Sequence, residues 1–270
     1  MVKTAIVHDW LTGMRGGEKC LEQLCEFFPD ATLFTLVHVK GSVSPRIERM
    51  RIRTSLIQRL PLARAKYRSY LPIMPAAVER FQLGDYNLII SSSHCVAKGV
   101  IAPPAACHIC YCYTPMRYIW DVADDYLMPE SVNPLVRPFL PWLFHYLRMW
   151  DQLSASRVDY FLTISEHVAR RIRRYYGREA EVIHPPVETA AFARKPERGE
   201  YFLVVGALVP YKRVDIAIRA FNTSGLPLKV IGIGPEWRRL RALARRNVEF
   251  LGWVKQEDLA EYYSHCRALV

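Results

Sequence analysis

Short apolar runs of strand length alternate with stretches of helical spacing along the chain, and this pattern leaves few folds open. "TAIVHD" reads as a strand. "GGEKCLEQLCEFF" follows as a helix with Leu21, Leu24, Cys25 and Phe28 on one face. "ATLFTLV", "YNLIISSS", "CHICYCY" and "VDYFLTIS" are further strands, "EHVARRIRRYYG" is a helix closed by Gly177, and "EVIHPPV" is a short strand that stops at two prolines. Strands joined through helices run parallel and are covered on both faces, so the expected class is α/β.

After the polar stretch "ETAAFARKPERGE" the alternation restarts with "YFLVVG", "KRVDIAIRAFN", "PLKVIGIG", "EWRRLRALARR", "VEFLGWV", "QEDLAEYYSHC" and the strand start "RALV". The boundary falls near 187–200. It divides the chain into a full α/β domain, residues 1–190, and a second unit, residues 191–270. Three βα units and a stub of strand are half a doubly wound sheet, so the second domain is expected to be incomplete in this chain.

With 51% hydrophobic residues, the 270-residue chain has material for a core, and its net charge of +11 favours anionic partners. Nucleic acid is excluded as a partner, because no reading module and no aromatic stacking platform accompanies the basic residues. The seven cysteines are odd in number and form no disulfide framework. "MVKTAIVHDW" has no signal-peptide pattern, so a reducing, cytoplasmic location is expected. "CHICYCY" lacks a second Cys/His pair at zinc-site spacing and reads as buried thiols of a strand, with no metal. "NPLVRPFLPWLFHYLRMW" is broken by Pro134, Pro138 and Pro141 and carries Arg137 and Arg148, which suits a packed amphipathic helix and not a membrane span.

Two stretches are built for phosphate. In "HDWLTGMRGGEK" a strand leads through Arg15, Gly16 and Gly17 into a helix. Glycines let backbone amides approach a ligand, and a helix N-terminus favours negative charge. In "YFLVVGALVPYKRVDIAI" the strand hands over to a helix through Lys212 and Arg213, cations at the end of a helix where anions are preferred. An anion bound there would resolve the mismatch. "GIGPEW" repeats the order strand, glycine, helix. Together these point to a nucleotide diphosphate.

These segments resemble glycosyltransferase family 4. "GALVPYKRVDIAIRAF", "VIGIGP" and "VEFLGWVKQEDLAEYYSHCRALV" are similar to its donor-binding domain. "RGGEK", "SSSHCVAKGV", "YCYTPMRYIWD" and "LTISEHVARRIRRYYGREAEVIHPPVE" are similar, in the same order, to segments of its first domain. The resemblance implies a GT-B fold of two Rossmann-like domains facing a cleft. It also implies transfer of a hexose from a nucleotide-sugar, with retention of configuration and no metal or other cofactor. GDP-mannose is the expected donor, and the expected acceptor is a glycan or lipid-linked sugar. By position, Lys212, assisted by Arg213, meets the donor diphosphate together with Gly16 and Gly17. His94 and Tyr113 fall at catalytic positions, and Arg15, Arg117 and Ser165 at acceptor or phosphate contacts. Ser165 is also a natural helix cap, and Arg117 stands within reach of an ion pair with Asp121.

Some positions depart from the family. Tyr113 stands where histidine is usual, and Ala207 where arginine is usual, which leaves Arg213 or Arg15 to supply the second cation. The family's pair of glutamates separated by seven residues belongs beyond "RALV". Glu18/Glu26 and Glu249/Glu257 share the spacing without the context. An inactive fragment of such an enzyme is therefore the alternative reading of the chain. Finally, Arg46, Arg49, Arg51, Arg53, Arg59, Arg64, Lys66, Arg68 and Arg80 face only Glu48 and Glu79 in their stretch, and Arg170, Arg171, Arg173, Arg174 and Arg178 form a second cluster. Such surfaces suit peripheral attachment to an anionic membrane.

Overall fold

The structure, a computed structural model, describes residues 2–121, 137–189 and 199–270. It divides into two compact units, Met1–Pro186 and Val187–Val270. The first holds a seven-stranded parallel sheet built from β1 (Thr4–His8), β2 (Thr32–Thr35), β3 (Arg51–Thr54), β4 (Leu88–Ser93), β5 (Cys107–Cys112), β6 (Tyr160–Thr163) and β7 (Glu181–Val182), in the order β3-β2-β1-β4-β5-β6-β7. The longer helices of this unit are α1 (Gly16–Phe27), α2 (Leu140–Ser154) and α3 (Glu166–Tyr176).

The central strands are apolar on both faces, as a sheet covered on both sides demands. Ala5, Val7, Phe34 and Ile89 pack into one cluster with Met74, Leu147 and Trp150. Ile6, Leu33 and Ile90 point the other way, into a cluster completed by Leu21 and Cys25 of α1. Cys110 and Cys112 pack against Val168 and Ile172 of α3, as the buried-thiol reading requires. His108, on the same strand, is buried as well. Its Nδ1–H donates to the Arg157 carbonyl and its Nε2 accepts from Ser91 Oγ, both at 2.9 Å, and burial lowers its pKa to about 4.

Strand β3 has no apolar run to announce it. "RIRT" alternates arginine with one isoleucine, and three of its four residues are exposed. Parallel pairing with β2 through Thr32↔Arg51 to Thr35↔Thr54 makes it the edge of the sheet, where charged side chains are tolerated. Of the stretch expected to be an amphipathic helix, residues 133–136 lie outside the described residues. The rest includes α2, which turns Phe144, Leu147, Trp150 and Asp151 inward and leaves Trp142, Met149 and Leu153 exposed. No described helix is long and apolar enough to cross a membrane.

A buried ion pair ties α2 to the sheet. Lys98 follows β4 and is 1% exposed. Its ammonium stands 2.9 Å from Asp151 Oδ1 and donates to Ser154 Oγ at 2.6 Å and to the Asp151 carbonyl at 2.7 Å. Asp151 Oδ2 accepts from Trp120 Nε1 at 2.8 Å and from the Tyr176 hydroxyl at 2.9 Å. Gly99 completes the lock, because a Cβ there would stand 2.3 Å from the Trp150 ring. The "AKG" of "SSSHCVAKGV" is thus a packing device.

The second unit has a four-stranded parallel sheet, β10-β9-β8-β11, formed by β8 (Tyr201–Val205), β9 (Leu228–Ile231), β10 (Val248–Gly252) and β11 (Cys266–Leu269). Helices α4 (Val214–Ser224), α5 (Trp237–Leu243) and α6 (Gln256–Ser264) accompany it. Gly232 and Gly234 let the loop after β9 lie against the loop after β8. Added Cβ atoms would come within 1.8 Å of Gly206 O and 2.2 Å of Leu208 O. These glycines serve a backbone-to-backbone approach.

Lys98→Met strands the buried Asp151 carboxylate without its cation. It is expected to cost about 3–5 kcal/mol in a denaturant or thermal melt of the protein. A melt unchanged within error would show that the pair does not hold α2.

Candidate active site

The carboxyl ends of β1, β4 and β5 lie side by side, in register His8↔Ser92 and Ser93↔Cys112. The next residues on these strands, Asp9, His94 and Tyr113, therefore gather at one end of the sheet, where open α/β sheets place their ligands.

Asp9 is fully buried and is the best-coordinated group of the site. Its Oδ2 accepts the backbone N–H of His94 at 2.7 Å and of Cys95 at 3.0 Å. Its Oδ1 accepts those of Val96 at 2.7 Å and Ala97 at 2.8 Å. The His94 ring adds Nδ1, 3.0 Å from Oδ2. Burial works to raise the Asp9 pKa. The charge and hydrogen bonds of His94, with help from His8, outweigh it and bring the value down to about 2. The imidazole of His94 is about a third exposed, and Trp10 packs edge-on against it at 4.7 Å.

Tyr113 lies beneath the glycine turn. Its hydroxyl meets Gly17 O and Ser92 Oγ, each at 2.8 Å, and Ser92 Oγ meets His8 Nδ1 at 2.9 Å. The direction of this chain is settled by its end. A carbonyl only accepts, so Tyr113 donates to Gly17, Ser92 donates to Tyr113, and His8 Nδ1–H donates to Ser92. His8 Nε2 is left buried, without a hydrogen-bond partner among the described residues, 4.0 Å from Glu18 Oε1. Burial, together with a neighbouring Cys20, pushes the Tyr113 phenol well above its ordinary pKa and keeps it a donor. Tyr113 therefore supports the glycine turn from below and is not open to a ligand through its hydroxyl.

The turn itself enters α1 at Gly16. Glu18 accepts the Arg15 backbone N–H at 3.0 Å, which satisfies one orphan amide of the helix start. Burial would raise the Glu18 pKa, but the His8 imidazole, the residue's own amide and Arg15 hold it below the ordinary range. A Cβ on Gly16 would meet nothing within 4 Å, whereas one on Gly17 would touch the Tyr113 ring at 3.5 Å. Gly16 and Arg15 are exposed, so a ligand has room at this helix start.

Ser165 caps α3, accepting from Val168 N at 3.3 Å. Arg117 is exposed at the start of a short helix, Arg117–Trp120. Asp121 is engaged by Arg171, which also donates to Thr114 Oγ1 at 2.6 Å, and by the Tyr175 hydroxyl at 2.7 Å. Arg171 thereby holds the "TPMR" turn in place.

In the second unit, Lys212 ends a 3-10 turn, Pro210–Lys212, and α4 begins only at Val214. Arg213 sits between them in the left-handed region, with φ +50°, and forks onto Asp215 at 3.0 and 3.1 Å. Asp215 is the anion that the first turn of α4 prefers, and Arg213 neutralises it. The two cations thus part company. Arg213 is paired inside its own turn, and Lys212 is exposed with no ion pair among the described residues. Among those residues, no group of three or more His, Cys, Asp or Glu is placed to hold a metal.

The family model "Glycosyltransferase Family 4" matches residues 14–191, and "Glycosyl transferases group 1" matches residues 188–270. The chain belongs to glycosyltransferase family 4. Among curated relatives of this family 4 member, O-antigen chain mannosyltransferase C of Escherichia coli is 27% identical over 164 residues, which cover 58% of the chain and 42% of the relative. D-rhamnosyltransferase WbpZ of Pseudomonas aeruginosa is 29% identical over 134 residues, 46% of the chain and 35% of the relative. The matched stretches thus span less than half of these relatives. In fold, the chain is similar to HepE of Anabaena, solved with UDP and glucose. The TM-score is 0.67 at 15% identity, with 99% of this chain and 73% of that one covered. The two parallel sheets are those of a GT-B glycosyltransferase.

Asp9, His8, Ser92 and Glu18 were not among the site residues expected from sequence. Asp9 had a legible signal, a carboxylate directly after an apolar strand in an α/β pattern. The others act through contacts of 84 residues' separation or through a helix start, which spacing does not reveal.

Asp9 stabilises the fold fully above its unfolded pKa of 3.8, and that contribution is lost as pH falls toward about 2. The expected size is on the order of 2 kcal/mol. In acid unfolding, Asp9→Asn should be less stable than the parent protein at pH 6, with the gap closing between pH 4 and pH 2. A gap independent of pH would refute this.

Proposed function

We propose that this protein transfers a hexosyl group, mannose from GDP-mannose in the first instance, to a glycan or lipid-linked acceptor with retention of configuration. The observation that carries the reading is Lys212. It is an exposed cation with no ion pair among the described residues, in the loop that follows the parallel strand β8 and in the part of the chain that matches the glycosyl transferases group 1 model. The anomeric C–O bond to the diphosphate breaks with its electrons on the diphosphate, and the acceptor oxygen takes the anomeric carbon and gives its proton to the departing diphosphate. Lys212 stabilises the charge that develops on the leaving group. Within the first unit, the Gly16 turn offers backbone amides to an anionic group, Arg15 and Arg117 offer charge, and His94 offers an imidazole to a sugar hydroxyl. Mannosyl and rhamnosyl transfer, named in the two curated relatives, support the donor class.

The protein is to be given GDP-, UDP- and ADP-sugars in turn, with the product's anomeric configuration read by NMR. Turnover of GDP-mannose with retention, unchanged by EDTA, is expected. Turnover of another donor alone, or inversion, overturns that part of the reading. Lys212→Ala should lower kcat about 100-fold and leave the melting temperature alone.

We further propose peripheral attachment to the cytoplasmic face of an anionic membrane through residues 49–78. This stretch has no Asp or Glu and carries Arg49, Arg51, Arg53, Arg59, Arg64, Lys66 and Arg68. Leu62 stands among them 65% exposed, in the left-handed region at φ +54°, an uncommon conformation for a bulky residue. Each cation near the surface contributes about 1 kcal/mol. Of the second basic cluster, Arg171 holds Asp121, Arg173 holds Glu179 and Arg178 donates to Ala155 O and Asp159 O, which leaves it a smaller share. Sedimentation should show binding to vesicles with phosphatidylserine that weakens with salt. Equal binding to neutral vesicles would sink the proposal.

A further inference from the structure

We propose that Asp9 is a positioning residue of the transfer reaction. It acts through His94, holding the imidazole with Nδ1 protonated and Nε2 bare, so that Nε2 accepts a hydrogen bond from a sugar hydroxyl. This rests on the reading of His94 given under Proposed function and adds the group that makes it work.

The assignment follows from the chemistry of the contact. An ionised carboxylate has lone pairs and no proton, so whatever meets it must donate. His94 Nδ1 stands 3.0 Å from Asp9 Oδ2 and is therefore the protonated nitrogen. In the neutral ring Nε2 then carries the lone pair. The His94 side chain is 32% exposed, and no partner is found for Nε2 among the described residues.

Asp9 is also fixed. Four successive backbone amides, those of His94, Cys95, Val96 and Ala97, hold its two oxygens at 2.7 to 3.0 Å. The ring hangs from the same turn that the carboxylate caps, so the carboxylate and the imidazole move as one body. Trp10 limits rotation of the ring from the side, at 4.7 Å between ring centroids and 85° between planes. Trp10 is itself packed on Tyr67 at 4.9 Å. A ring fixed in tautomer and orientation before substrate arrives is what a positioned acceptor requires. Nothing in the capping of the turn alone calls for a histidine at its first residue, since the Asp9 oxygens already have four amide partners.

The experiment has a spectroscopic arm and a kinetic arm. In the unmodified protein, 15N–1H correlation of the imidazole side chains, assigned by loss of one signal in His94→Asn, should show His94 as the Nδ1–H form. The Nε2–H form overturns the role given to Asp9. This arm needs no substitution at Asp9, so it stands even if Asp9→Asn fails to fold.

For kinetics, His94→Asn places an amide nitrogen where Nδ1 was and removes the outer acceptor. It should lower the rate about tenfold, the worth of one hydrogen bond. A fall in both donor hydrolysis and transfer identifies the hydroxyl as the donor sugar's. A fall in transfer alone identifies it as the acceptor's. No fall in either overturns the reading of His94, while the tautomer result still judges Asp9.

Asp9→Asn should lower the rate in the parent protein and leave it unchanged in the His94→Asn background. A further fall of equal size in that background, in variants that melt alike, would mean that Asp9 acts only by holding the turn and would overturn the proposal.

Discussion

The N-terminal unit is organised by one turn, residues 94–99, that carries buried charge at both ends. Asp9 caps its start from the neighbouring strand, and Lys98 leaves its end to meet Asp151 of α2. A buried carboxylate and a buried ammonium are each costly to take from water, and each is made tolerable only by dense coordination. Asp9 has four amides and an imidazole, while Lys98 has a carboxylate, a hydroxyl and a carbonyl. Because both sets of partners come from distant parts of the chain, the turn cannot form without β1, β4 and α2 being in place. The candidate site at the end of the sheet and the packing of its covering helix thus depend on the same six residues.

Much of the architecture was legible in the sequence because the buried strands are short apolar runs and the helices have clear periodicity. Glycine stops were also readable. Gly177 closes α3 in the left-handed region, at φ +65°, as the sequence pattern predicts. Strand β3 was hidden because its identity comes from pairing with β2, while its own residues are those of a solvated loop. The family models together match residues 14–270, but the roles of single residues do not come with them.

The site shows the same division. His94, Tyr113 and the glycine turn were found from local motifs, yet their partners are set by the order of strands. Tyr113 turned out to be a prop, since its hydroxyl is committed to Gly17 and Ser92. The mismatch of Lys212 and Arg213 before a helix also resolves locally. Arg213 answers Asp215 within its own turn, and the helix starts two residues later than the periodicity suggested. What distinguishes the two cations is the position of one aspartate, a detail that charge counting cannot see.

The edges of the seven-stranded sheet bear on how this unit meets other molecules. On one side β3 lines its outer rim with arginines. On the other, β7 has two residues, Glu181 and Val182, and two prolines follow within four positions. Arginines repel a like strand, and a two-residue rim with prolines close behind offers few amides to pair. Neither border is a template for strand addition. Self-association of this unit by sheet extension is therefore blocked at both margins, and any assembly it enters must be made through its helices and loops.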